Sequence, residues 1–222
     1  MALKSSSYQT SATPISLFAH LVFIAIFVLV LVWLLKFREG LSFTSDNKPK
    51  LFNLHPLFMV IGFVLISGQA IMTYKTFPAT RKRQKLIHMT LNFIALLAAI
   101  VGLYAVFQYH HDLGIPHVYT LHSWFGISTA SLFFLQWLFG FFTFWVRARD
   151  STTRGNLAPW HVLLGMVIFS MAILSAVTGL IEKFTFMSLR RGQEALIVNF
   201  TGLLIFLFGV SVGCTVLLPR SY

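Results

Sequence analysis

The residues best suited to chemistry in this 222-residue chain are its eight histidines. Four of them, His55, His88, His122 and His161, stand at or near the start of successive long apolar segments. Imidazole is the commonest metal ligand among side chains, and it can also relay protons. Polar groups inside such segments are costly and usually functional, so four histidines in one repeated position indicate a site. His20, near the start of an earlier apolar segment, is expected to be a supporting or interfacial residue.

Six apolar segments must position these histidines. Each has or exceeds the roughly 20 residues that a helix needs to cross a bilayer. The predicted spans are 15–35, 55–75, 85–107, 121–146, 160–181 and 195–217. The breaks between them are rich in charge, proline and glycine, and none is long enough for a separate domain. We therefore predict an all-α, polytopic membrane protein, formed as a single six-helix domain over residues 1–222.

The composition supports a membrane protein and excludes other classes. Hydrophobic residues make up 57% of the chain and charged residues only 10%, whereas soluble domains carry about 25% charged residues. So much apolar surface also excludes a disordered chain. A net charge of +11 would suggest nucleic acid in a soluble protein, but here it predicts basic loops beside a lipid bilayer and no nucleic-acid partner. The single cysteine, Cys214, excludes an intrachain disulfide and covalent attachment of haem through a Cys-x-x-Cys-His motif.

The basic residues predict an orientation. The side of the membrane that holds both termini and the second and fourth loops carries ten Lys and Arg, and the other side carries seven. After the acidic residues are subtracted, the two sides have net charges of +9 and +2. Because basic residues concentrate in cytoplasmic loops, we predict that both termini are cytoplasmic.

This topology places the four histidines in two pairs. Neighbouring helices run in opposite directions, so His55 and His122 lie near the non-cytoplasmic face, and His88 and His161 lie near the cytoplasmic face. In a central up-down bundle of helices two to five, each pair is diagonal across the core. Such pairs suit two haems with one imidazole on each face of each haem, the irons about 20 Å apart. Six-coordinate iron favours one-electron transfer over oxygen activation.

Glycines in the fourth and fifth helices repeat at fixed distances from the histidines. In both helices they follow the histidine by 4 and by 18 residues: Gly126 and Gly140, then Gly165 and Gly179. Eighteen residues are five helical turns, so the distant glycine shares the histidine's face and is expected to clear space for the other haem. Gly102, fourteen residues after His88, lies on roughly the same face as that histidine. Close helix packing is the alternative explanation.

Two other function classes stay open on this pattern. A membrane transporter without redox chemistry could use the histidines as a proton relay, and a haem-free anchor or assembly subunit would use them only structurally. The visible spectrum of the purified protein separates both from a haem protein.

Several motifs show a family resemblance across nearly the whole chain. They are FNLHP (52–56), KLIH (85–88), HHDLG (110–114), YTLHSWFG (119–126), FLQWLFGF (134–141), APWH (158–161) and GLIEKFTF (179–186). In these motifs the chain resembles the cytochrome b561 family of transmembrane ascorbate-dependent oxidoreductases, and most closely its plant members. LHSW together with PWH at this spacing is specific.

The resemblance implies an oxidoreductase with two non-covalent b haems. It assigns His55 and His122 to the non-cytoplasmic haem, and His88 and His161 to the cytoplasmic one. It implies electron transfer from cytoplasmic ascorbate to monodehydroascorbate or to ferric chelates, which would make the protein a ferrireductase. It favours the vacuolar membrane, with the plasma membrane and other endomembranes as alternatives. Relatives also suggest a homodimer, although helices one and six show no decisive interface motif.

The resemblance implies a basic donor site at the cytoplasmic haem. Arg81, Lys85 and Arg154 match the residues that contact ascorbate, a monoanion that basic side chains attract. The position of Arg81 resembles a lysine position in close relatives of this family. Lys75 and Arg83 are candidates for additional positive charges at this site. The alternative for all of them is the ordinary excess of basic residues in cytoplasmic loops.

The resemblance implies an acceptor pocket at the non-cytoplasmic haem. Tyr109, His110 and Tyr119 match its residues, whereas His111 and His117 are expected to be solvated loop histidines. The loop between helices three and four has no Lys or Arg. This argues against strong attraction of a highly anionic chelate and favours monodehydroascorbate or a small neutral acceptor.

Overall fold

The computed structural model describes residues 12–44, 46–146 and 151–218. Within these residues the chain forms six helices that are long and apolar enough to cross a membrane, and it forms no β-strand. The helices are α1 (Ala12–Phe37), α2 (Lys48–Thr76), α3 (Arg81–Leu113), α4 (Leu121–Val146), α5 (Ser151–Phe186) and α6 (Gln193–Leu217). The predicted all-α architecture with six spans is confirmed.

Several helices extend beyond the predicted spans. The α2 helix begins at Lys48 and α5 at Ser151, where the sequence predicted 55 and 160. The predicted bounds follow the apolar residues, whereas helical hydrogen bonding continues into the polar flanks. The 36 residues of α5 reach about 54 Å, so this helix projects beyond a hydrocarbon core about 30 Å thick.

The helices pack as hairpins in a ring with two further helices beside it. The α2 helix packs along α3 and α4 along α5, while α3 touches α4 and α5 touches α2. The α1 helix packs on α6, which also contacts α2 and α5. The largest hydrophobic core joins α1, α2, α5 and α6 through residues such as Ile26, Leu65, Phe169 and Phe208. Helices α2 to α5 therefore form the predicted central four-helix bundle.

The two ends of the bundle hold different segments of the chain. The termini face is the end where α1 begins, α6 ends and α2 connects to α3. The opposite face holds the α1–α2, α3–α4 and α5–α6 connections. Some charges that predicted the orientation, namely Lys4, Arg147, Arg149, Asp150 and Arg220, lie outside the described residues.

The α3–α4 connection reverses tightly on the opposite face. Gly114 ends α3 with a positive φ of 65°, a conformation that glycine adopts without strain. The Ile115 amide then donates to the His110 carbonyl at 2.9 Å. Thr120 caps α4, because its hydroxyl accepts from the Ser123 amide at 3.3 Å. This short reversal brings the loop back over the end of α3.

Candidate functional site

The four histidines meet as two pairs, one in each half of the bundle. The ring centroids of His55 and His122 are 6.1 Å apart with an interplanar angle of 84°. Those of His88 and His161 are 6.3 Å apart at 72°. The first pair lies towards the opposite face and the second towards the termini face. These are the juxtapositions that the alternating helix directions predict.

Backbone carbonyls of the partner helix in each hairpin orient three of the rings. The Nδ1-to-oxygen distances are 3.0 Å for His55 to Gly102, 2.8 Å for His88 to Ala70 and 2.9 Å for His122 to Ser175. A carbonyl can only accept, so the proton lies on Nδ1 and the lone pair of Nε2 is left for a ligand. The Asn92 amide also lies 3.3 Å from His88 Nε2, consistent with an unprotonated nitrogen there.

His161 is oriented by a side chain instead. The amide nitrogen of Gln136 on α4 lies 3.0 Å from His161 Nδ1 and donates to the His161 carbonyl at 2.7 Å. Gln136 packs close to Gly165, where a Cβ would lie 3.4 Å from the amide nitrogen. The glycine four residues after His161 thus leaves room for the group that orients its ring.

The residues that orient the rings recur at a fixed distance along the helices. Each of these residues contacts a histidine on the neighbouring helix, and each also follows the histidine of its own helix by a set number of residues. That number is 14 in three helices, at Gly102 in α3, Gln136 in α4 and Ser175 in α5. In α2 the interval from His55 to Ala70 is 15 residues. The extra residue coincides with the π-helical stretch Leu57–Leu65, which holds more residues per turn than an α-helix. Fourteen helical residues span about 21 Å, so the two pairs are about 20 Å apart in depth.

The distant glycines of α4 and α5 lie against histidines of the facing helix. A Cβ at Gly140 would be 2.9 Å from His161 Cε1, and a Cβ at Gly179 would be 2.6 Å from His122 Cε1. The sequence predicted room for a haem at these positions. In the structure, each glycine makes room for an imidazole ring itself.

A cavity of about 540 Å³ surrounds the His55–His122 pair. Its walls are mostly apolar, with Met59, Phe63 and Ala172 among them, and it extends to the aromatic residues near the opposite face. A flat, largely apolar group with polar edges fits such a lining.

The donor atoms suit a metal that already has other ligands. A metal–imidazole bond is about 2.0 Å long, so two imidazoles on opposite sides of one metal have centroids roughly 6 Å apart. Both pairs have this spacing. Among the described residues no group of three His, Cys, Asp or Glu side chains is arranged to hold a metal ion. Two imidazoles without a third protein ligand would fit the iron of a haem better than a bare metal ion.

Two of the predicted donor-site residues lie one aromatic ring away from the termini-face pair. The Arg81 guanidinium lies 5.9 Å from the centroid of the Tyr74 ring, which is 5.4 Å from the His88 ring. Lys85 Nζ donates to the Phe144 carbonyl at 3.2 Å, and the Phe144 ring is 5.1 Å from that of His161. Arg81 and Lys85 therefore border the same end of the bundle as this pair.

The other predicted basic residues have different positions. Arg154 is half-buried in the second turn of α5, seven residues before His161. Arg83 is exposed. Lys75 Nζ donates to the Leu218 carbonyl at 2.6 Å, which directs it to the end of α6. His20 is half-buried on α1 and belongs to neither pair.

The three predicted acceptor residues meet on the opposite face. His110 lies beside Tyr109 and Tyr119, with ring centroids 6.1 and 6.4 Å away. His117 differs from the expectation of a purely solvated residue, because its ring stacks on His110 at 5.7 Å and lines the cavity. His111 is exposed, as expected.

The sequence did not identify several polar groups near the two pairs. Gln136 could have been found from its 14-residue interval after His122, which matches that of Gly102 after His88. Lys183 and Glu182 line the cavity from the end of α5. Glu182 accepts a hydrogen bond from the Thr120 hydroxyl at 3.1 Å. Both residues lie in the GLIEKFTF motif (179–186), just beyond the predicted span 160–181.

Comparison with known proteins agrees with this architecture. Residues 54–187 match a protein family described as "Eukaryotic cytochrome b561". A "Probable ascorbate-specific transmembrane electron transporter 2" of Oryza sativa subsp. japonica is 42% identical, over 94% of this chain and 90% of the relative. A "Transmembrane ascorbate ferrireductase 2" of Arabidopsis thaliana is 39% identical, over 94% and 93%. A plasma membrane ascorbate-dependent reductase of Mus musculus is 35% identical, over 87% and 69%. The chain therefore belongs to the eukaryotic cytochrome b561 family.

Proposed function

We propose that this protein is an oxidoreductase that transfers electrons across a membrane, from ascorbate at the termini face to an acceptor at the opposite face. The observation that carries the proposal is the presence of two imidazole pairs at two depths of one bundle. The names of the relatives support ascorbate as the donor.

The side chains of α2 to α5 are suited to hold two b haems. His55 and His122 would bind one, and His88 and His161 the other, each through Nε2. Two haems held by these residues would supply one-electron transfer. The hydrogen bonds to Gly102, Ala70 and Ser175 orient three of the rings, and such contacts fix the direction of the nitrogen that a metal-ligating histidine presents.

The basic residues at the termini face supply a donor site. Arg81, Lys85 and Arg154 would attract the ascorbate monoanion and hold it near the aromatic residues that touch His88 and His161. We place this face in the cytoplasm, because the larger net charge predicted from the sequence lies on that side. The family resemblance favours the vacuolar membrane.

The opposite face supplies the acceptor site. Tyr109, His110 and Tyr119 form its aromatic rim, and a ring nitrogen of His110 is 3.2 Å from the Pro116 carbonyl. The acceptor we propose is monodehydroascorbate or a ferric chelate. The protein acts as one six-helix domain, since both histidine pairs draw on helices from the two hairpins.

The spectrum of the purified protein tests this function. Ascorbate should produce the sharp reduced bands of a b cytochrome, with about two haems per chain. His88→Ala should remove mainly the termini-face haem and abolish reduction by ascorbate added on that side. His122→Ala should remove mainly the other haem.

Two results would contradict the proposal. A colourless protein would instead favour a transporter with a histidine relay. Loss of a haem in His20→Ala, with no loss in His88→Ala, would show that the ligand set is wrong.

A further inference from the structure

One basic side chain lines the cavity at the opposite face, and it comes from α5 and not from the α3–α4 loop. Lys183, in the last turn of α5, lines the cavity together with His55 and His122. It follows Gly179 by four residues, so it lies about one turn nearer to the surface on the side of α5 that faces His122. The absence of Lys and Arg from the α3–α4 loop therefore does not make the site neutral.

Aromatic contacts join Lys183 to the acceptor rim. Its Nζ lies 3.9 Å from the centroid of the Phe52 ring. The Phe52 ring is 6.0 Å from that of His55 and 5.0 Å from that of Tyr109. A cation–π contact of this length restricts the position of the ammonium group. The Phe52 ring thus connects Lys183 to one histidine of the pair and to one of the predicted acceptor residues.

The nearby carboxylates are engaged with other groups. Glu194 pairs with Arg38 and accepts from the Trp33 indole at 2.9 Å. Glu182 accepts from Thr120. Lys183 makes no ion pair with any carboxylate in the part of the chain that the structure describes. A half-buried ammonium group over an aromatic ring, with no carboxylate in ion-pair contact, is suited to receive an anion.

We infer that Lys183 forms an anion subsite of the opposite-face cavity, and that its ligand is a carboxylate or an enolate. This inference rests on the proposed function, because two sources of such an anion meet there: a haem propionate and an anionic electron acceptor. Both would accept a charge-assisted hydrogen bond from Nζ.

The test compares Lys183→Met with Lys36→Met. Lys36 is the matched control, because it also lies over a phenylalanine ring at the opposite face, 5.7 Å from the centroid of Phe37, but does not line the cavity. Lys183→Arg should retain the wild-type behaviour. Each variant is purified with both haems and reduced with ascorbate. Oxidation by ferric EDTA, an anion that presents carboxylates, is then compared with oxidation by hexaammineruthenium(III), a cation, and both haem potentials are titrated.

The two sources give different results. If the ligand is the acceptor, Lys183→Met should raise the KM for ferric EDTA several-fold, leave the KM for the ruthenium complex unchanged and leave both potentials unchanged. If the ligand is a propionate, the potential of the opposite-face haem should fall and that haem should dissociate several-fold faster, with an unchanged ratio of the two KM values.

An absence of both effects would overturn the inference. In that case Lys183→Met would behave like Lys36→Met in acceptor kinetics, potentials and haem retention. Failure of the proposed function is a separate result, since it would show as a wild-type protein without haem bands or without reduction by ascorbate.

Discussion

His161 differs from the other three histidines in the group that orients its ring. Three imidazoles face a backbone carbonyl, which can only accept, whereas His161 faces the amide nitrogen of Gln136. Ligation of iron through Nε2 requires a proton on Nδ1. The Gln136 amide would then have to present its oxygen to the ring. We therefore expect the termini-face haem to be more sensitive to a side-chain substitution than the opposite-face haem.

Gln136→Leu tests this difference. A buried Nδ1–H without a partner costs about 1–3 kcal/mol, so the termini-face haem should bind about 5- to 150-fold more weakly. Gln136→Glu supplies only acceptor oxygens, so it should keep this haem and lower its midpoint potential by raising the basicity of the imidazole. Haem retention and redox titration measure both effects.

Ser175→Ala is the matched control for Gln136. Ser175 holds the equivalent place opposite His122, but it does so through its backbone carbonyl, which the substitution keeps. Neither haem should change in Ser175→Ala. Equal effects of the Gln136 and Ser175 substitutions would show that the side-chain amide has no specific role.

The helices position the rings through shared intervals and close contacts. The interval of 14 residues in α3, α4 and α5 becomes 15 in α2, where the π-helical stretch Leu57–Leu65 takes up the additional residue. Helices α4 and α5 approach so closely that each packs a glycine against the histidine of the other. The depth of each pair is thus set by whole helices and not by single side chains.

Gly179→Ala should disturb only the opposite-face pair. The added Cβ would lie 2.6 Å from His122 Cε1, so the ring or the helix must move. We expect the haem content to fall to about one per chain, with the termini-face haem still reduced by ascorbate. Absorbance of the purified protein and redox titration report both results.

Gly155→Ala in the same helix provides the control. No atom lies within 4 Å of a Cβ added there, and alanine in place of an exposed helical glycine should add about 0.5–1 kcal/mol of stability. Two haems retained in Gly179→Ala would contradict the role assigned to this contact.

At the scale of the whole molecule, one bundle holds the two histidine pairs about 20 Å apart in depth. The two faces of this bundle differ in their predicted net charge. The predicted net charges of +9 and +2 favour the termini face as cytoplasmic. The Arg38–Glu194 pair and the Trp33–Glu194 hydrogen bond tie the end of α1 to the start of α6 at the opposite face. This tie holds the outer helices against the bundle near the proposed acceptor site.

Single cysteines introduced into a Cys214→Ala background test the orientation. Thr80→Cys lies in the α2–α3 connection at the termini face, and Thr44→Cys lies in the α1–α2 connection; both positions are exposed. A membrane-impermeant maleimide should label Thr80→Cys only from the cytoplasmic side and Thr44→Cys only from the other side. The reverse pattern would invert the proposed direction of electron transfer.

Much of this architecture follows from local properties of the chain. A membrane helix satisfies all its backbone hydrogen bonds within its own segment, so the length of an apolar run predicts a span without knowledge of its neighbours. Alternating helix direction then assigns His55 and His122 to one face, and His88 and His161 to the other. The glycine intervals of α4 and α5 follow from helical periodicity in the same way.

The rotation and depth of neighbouring helices depend on packing between segments distant in sequence, which periodicity does not encode. Only the folded bundle therefore shows that Gly140 and Gly179 face imidazoles, that Gln136 takes the place of a carbonyl, and that Lys183 reaches the cavity. The length of the apolar runs determined the helices, and the alternating direction of the helices determined the membrane face at which each histidine lies. Contacts between helices decided which groups surround each ring, because those groups come from other segments of the chain.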